Sequence, residues 1–169
     1  MRAWQRWLIW LVAMGAPGTL PGQEAPRPPV REIATPGLHD AAVAVADAHQ
    51  PVIYYNPRTM AESGPDLAAF LMEHERGHIA HGHRRPAPGA MSATAAQALL
   101  RRYEHEADCW AAATLALTHG AAVSAAIRYF RNIGPLRADL EHPSGTERAA
   151  AITACVGGSA PGVGGGFRF

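Results

Sequence analysis

The sequence predicts an α+β fold that is mostly helical. Two long stretches carry apolar residues at helical spacing, one after Pro65 and one over residues 93–119. Ahead of both, residues 51–56 read PVIYYN, a β-branched and aromatic run of strand length. The 169 residues allow one domain with tails, and 48% apolar against 17% charged residues excludes a wholly disordered chain.

In chain order, residues 1–22 read as an export signal. Arg2 and Arg6 form a basic start, and residues 7–16 are an apolar run of ten, against the roughly 20 needed to span a bilayer. An uncleaved anchor or a buried segment is the alternative, and an anchor would be the chain's one means of meeting a membrane. Residues 23–37 are Pro-rich and read as a linker. The folded domain is expected over 38–155, and the six glycines of residues 156–169 read as a flexible tail.

Within the domain, residues 41–46 alternate Ala and Val and precede the PVIYYN run, which predicts a β-hairpin; an Ala-rich helix over 38–48 competes with it. Pro65 suits a first helical turn, and Leu67, Phe70, Leu71, His74, His78 and His81 then fall on one stripe. Pro86, Pro88 and Gly89 make a loop. The second helix is expected to stop at Gly120, and a third covers 122–132 before Gly134 and Pro135. Ser144 and Glu147 form a capping box that opens a last helix through Cys155.

The basic residues are all Arg, 15 of them, which together with abundant Ala, Gly and Pro reads as coding bias. A net charge of +1 offers no electrostatic footprint for nucleic acid. Cys109 and Cys155 are an even pair in a chain expected to be exported, either a disulfide or two core thiols. Nine His in this length point to chemistry.

Residues 74–78 spell H-E-x-x-H. Positions four apart on a helix lie about 40° apart, so His74 and His78 can share one zinc at about 2.0–2.1 Å. Glu75 projects to the side, where a carboxylate reaches a water on the metal as general base. Gly77 in mid-helix costs ~1 kcal/mol against Ala and points to close approach of another backbone. The third ligand is expected from the second helix, where Glu104 and Asp108 stand four apart. Glu104 can ligate the metal, the alternative being a solvated Glu in a charged helix. Asp108 accepts a hydrogen bond from a ligand imidazole, unless it is spent on a salt bridge with Arg101 or Arg76. Ala107 and Ala111 on that stripe let the two helices approach. His81 and His83 read as helix-end residues that can take up metal adventitiously, and His105 and Glu106 as surface.

HERGH paired with EHEAD, followed by His142-Pro143 and Arg148, resembles the gluzincin metallopeptidases of the HtpX and prenyl-protease type, and more specifically their short exported relatives, the minigluzincins. That family is similar in showing H-E-x-x-H, then E-x-x-x-D, then H-P with an Arg six residues after the His, and commonly a His at the position of His83. The resemblance spans residues 52–155. It implies a zincin-like minimal domain holding one Zn2+ through His74, His78 and Glu104, with Glu75 as catalytic base and Asp108 behind the ligands. His142 would lie near the site and polarise a substrate carbonyl, and Arg148 would anchor the last helix. The implied activity is zinc-dependent endopeptidase action on a peptide or protein. The expected architecture would lay that substrate extended beside the strand at 52–55, and the export signal would place the activity in the periplasm or outside the cell. Two rivals predict other behaviour. A non-catalytic, zinc-stabilised interaction module needs no base, and a periplasmic metal carrier would use His81 and His83 for loose binding.

Overall fold

Asn56 and Pro57 set where the helical part begins. Asn56 is extended, and its side-chain oxygen accepts from the backbone N–H groups of Arg58 (3.0 Å) and Thr59 (3.3 Å). Pro57, which has no N–H to satisfy, occupies the first helical position. In the computed structural model, which describes residues 29–45 and 50–157, helix α1 therefore runs Pro57–Ala80 rather than starting near Pro65. The breaker pair Gly64-Pro65 remains as a kink, with Gly64 at φ 76°.

Three further helices follow: α2 (Ala93–Ala116), α3 (Gly120–Ile133) and α4 (Gly145–Gly157). Ser92 caps α2 through the N–H of Ala95. The capping box of α4 forms in both directions: Ser144 N–H donates to Glu147 Oε2 (2.7 Å), and Glu147 N–H donates to Ser144 Oγ (3.3 Å). Helix α4 includes residues 156 and 157, which the sequence assigned to the tail. No helix among the described residues is long and apolar enough to cross a membrane. The expected export signal at 1–22 and the turn at 46–49 lie outside the described residues.

The sheet contains the expected strand pair and extends it. β2 (Ala42–Val45) and β3 (Val52–Tyr55) do pair antiparallel, Val43 opposite Tyr54. A third strand, β1 (Arg31–Ala34), pairs parallel to β3 on its other side, giving the order β1-β3-β2. Residues 31–34 were read as linker because prolines dominate the segment. The four residues themselves are REIA and contain none, so their N–H groups are free to join the ladder. With β3 central, both of its edges are paired, and a substrate cannot lie along it as the sequence reading had it; β2 is the edge strand on the helix side.

The core lies between the helices. Leu67 and Phe70 of α1, Ala111 and Ala112 of α2, Ala122, Val123, Ala126 and Phe130 of α3, and Ala149 and Ile152 of α4 are buried together. Cys109 and Cys155 are bonded, joining α2 to α4 with their Cα atoms 5.4 Å apart. The close helix approach expected at Gly77 is present: a Cβ there would stand 3.0 Å from Ala107 Cα and 3.1 Å from Trp110 Cβ. Ala107 and Ala111 are fully buried in the same seam.

Candidate metal centre

Across this α1–α2 seam, His74, His78 and Glu104 bring their donor atoms together. His74 Nε2 lies 3.1 Å from His78 Nε2 and 3.4 Å from Glu104 Oε2, and His78 Nε2 lies 3.3 Å from Glu104 Oε1. Two donors bound to one ion at about 2.0–2.1 Å with tetrahedral angles stand about 3.3 Å apart. Each imidazole nitrogen thus stands at ligand spacing from the other and from one oxygen of the Glu104 carboxylate, with one donor atom from each residue within 4.8 Å of the others. Two imidazoles with a carboxylate are a donor set for divalent transition metals. The residues fit a metal ion.

The other ring nitrogen of each imidazole is held. His74 Nδ1 donates to Asp108 Oδ1 at 3.0 Å, as expected from the sequence. Asp108 also takes a bidentate pair from Arg148, Nε at 2.9 Å and Nη2 at 2.6 Å, so its salt-bridge partner is Arg148 rather than Arg101 or Arg76. Arg148 stacks over the Phe130 ring at 4.0 Å and approaches Glu104 Oε2 at 3.8 Å. From the first turn of α4 it anchors that helix to α2, the role its resemblance implied.

The electrostatics favour a cation. Burial pulls the His74 imidazole down, but its hydrogen bonds with Asp108 and Glu104 outweigh this and raise its pKa to about 10. Burial pushes the Glu104 carboxyl up, yet its hydrogen bond with His74 and the charges of His74 and Arg148 bring it well below the usual carboxylate range. Asp108, buried completely, is likewise held low against burial by the charge and hydrogen bonds of Arg148. Burial lowers the Arg148 guanidinium, and Asp108 more than restores it. In the metal-free protein a proton on His74 does what a metal would do: it balances Glu104.

A cleft of about 540 Å³ opens onto the three donors, and His74, Glu75, His78, Glu104, His142 and Ala42–Ala44 of β2 line it. Glu75 therefore shares the cleft with the ligand trio. His142 sits on the loop between α3 and α4, where Asp139 holds its Nδ1 at 2.8 Å and its Nε2 points to within 4.0 Å of Glu104 Oε1.

Sequence reasoning misjudged three side chains. His83 is not an exposed helix-end residue: its side chain is 6% exposed, with Nδ1 3.0 Å from His78 Nδ1 and Nε2 2.9 Å from Glu106 Oε2. Glu106, read as surface, is that histidine's partner. The signal that could have found them is Gly82, whose φ of 63° ends α1 and turns the chain back so that His83 N–H reaches His78 O at 2.9 Å. His105, also read as surface, is partly buried, and its Nδ1 has no hydrogen-bond partner among the described residues.

Comparison with family models, curated proteins and solved structures returned no match for this chain.

Proposed function

We propose that the chain is a zinc-dependent endopeptidase of gluzincin type that works after export, in the periplasm or outside the cell. The observation that carries the reading is the trio His74, His78 and Glu104, spaced for one ion and opening onto a cleft that Glu75 shares. A structural zinc site is closed and four-coordinate; three ligands facing a cleft with a carboxylate beside them leave a position for chemistry. The disulfide between Cys109 and Cys155 accords with an oxidising compartment.

A zinc ion held by His74, His78 and Glu104 would supply Lewis acidity toward a carbonyl and lower the pKa of water. The chain's own groups do the rest. Glu75 takes the proton of the attacking water and returns it to the leaving amine. His142, whose Nδ1–H is held by Asp139 at the cleft wall, donates as the imidazolium from Nε2 toward the carbonyl oxygen when charge develops there. The peptide pairs with β2, the edge strand whose Ala42–Ala44 line the cleft. The carrier alternative loses its main support, because His83 is committed to His78 and Glu106.

The test is metal content and proteolysis of an unstructured protein, measured on wild type and Glu75→Gln together. Both are expected to bind about one zinc per chain, with cleavage by wild type and a loss of at least about 100-fold in the variant. Equal zinc content with no cleavage by either across varied substrates would leave the stabilised interaction module as the better reading.

A further inference from the structure

Two imidazoles face the same position, and they are oriented by different devices. Behind His74 stands a carboxylate, Asp108, itself fixed by Arg148. Behind His78 stands a second imidazole. We infer that His83, backed by Glu106, is a positioning residue that fixes the tautomer of His78 and aims its Nε2 lone pair at the metal position. The inference rests on the metal-site reading above and reaches residues which that reading does not use.

The argument is an accounting of protons. Glu106 Oε2, 2.9 Å from His83 Nε2, is a carboxylate oxygen that only accepts, so His83 Nε2 carries a hydrogen. A neutral His83 then has a bare Nδ1. That atom lies 3.0 Å from His78 Nδ1, and of two ring nitrogens in hydrogen bond one must donate, so His78 carries its hydrogen on Nδ1. His78 Nε2 is left as a lone pair facing His74 Nε2 and Glu104. The Glu106 carboxylate thus selects, through His83, the tautomer of His78 that can ligate.

Local structure holds the relay in register. The turn at Gly82 returns the backbone beside α1, with His83 N–H bonded to His78 O. The His83 ring stacks on Tyr103 of α2, centroids 4.0 Å apart and planes 12° apart, which fixes the plane in which its nitrogens lie. Tyr103 and Glu106 are three apart on α2, on the helix that also provides Glu104. The relay therefore ties the second ligand to the same helix that supplies the third.

Two substitutions separate hydrogen bonding from packing. His83→Phe keeps a ring against Tyr103 and removes the acceptor, whereas His83→Asn keeps an acceptor near the Nδ1 position. Zinc affinity is measured by chelator competition on the folded full chain, with circular dichroism and thermal unfolding as fold controls. The imidazole nitrogen shifts of the metal-free protein are read by ¹⁵N NMR. His83→Phe is expected to weaken zinc binding about 10–100-fold, and His83→Asn to recover most of that loss. The wild-type spectrum should show His78 with hydrogen on Nδ1, and His83→Phe should lose that preference. Equal affinity in wild type and a folded His83→Phe overturns the inference, as does an equal loss in both variants. A wild type that binds no zinc removes the metal site instead, and the tautomer of His78 in the NMR spectrum still decides whether His83 sets it.

Discussion

At the scale of single residues, the proton on His74 gives the site a measurable signature. Its ordinary value of 6.5 is raised to about 10 in the metal-free fold, so the imidazole is charged at neutral pH and an incoming metal must displace that proton. Zinc binding at pH 7 to 8 is therefore expected to release about one proton from His74, and affinity from this group should rise about tenfold per pH unit until pH nears 10. Calorimetry in two buffers of different ionisation enthalpy measures the count; release of none would mean that His74 is neutral before metal arrives. The stability effect has the opposite sign. A raised value stabilises the metal-free fold fully below about 6.5 and loses that contribution as pH rises through about 10. Most of this candidate donor set was legible in the sequence, because four-residue spacing on a helix fixes which side chains share a face. His83 was not legible, since its orientation depends on one left-handed glycine at the end of α1.

Among the elements, the α1–α2 seam decides whether the three donors can meet. Gly77 against Ala107 lets the helix axes close, and the Cβ of Gly77→Ala would press on Ala107 Cα at 3.0 Å and Ala107 O at 3.2 Å. Backbone atoms do not yield as a side chain does. The helix-propensity gain of ~1 kcal/mol is expected to be outweighed by an overpacking cost of about 1–3 kcal/mol. Gly77→Ala should therefore lower the unfolding midpoint in denaturant and weaken zinc binding together, since His74 and Glu104 ride on the two helices being parted. A variant as stable as wild type with undiminished affinity would show that the seam has slack. The sequence announced this seam through Gly77, Ala107 and Ala111, and α4 through its capping box. It concealed the start of α1 behind the Ser63-Gly64-Pro65 breaker, although Asn56-Pro57 already had the chemistry of a cap followed by a first-turn proline. It concealed β1 altogether, because a parallel partner 21 residues away in sequence leaves no local turn signature.

For the whole molecule, the Cys109–Cys155 bond closes a loop of 46 residues between α2 and α4. Chain entropy for such a loop amounts to about 4 kcal/mol, a large share of the stability of a small domain. Reduction is expected to lower the unfolding free energy by roughly that amount, read by denaturant titration with and without a thiol reductant. An unchanged midpoint would mean that the helices hold each other without the bond. Arg148, one helical turn into α4, gives the arrangement a direction in time. Asp108 and Glu104 lie on α2, and the guanidinium that balances them comes from the last described helix. A growing chain that has emerged from the ribosome only as far as α3 holds two acids in the seam with no counter-charge, and cannot close α1 on α2 around them at low cost. The centre therefore closes only once α4 has been made, and a fragment stopped before residue 145 is expected to lack it.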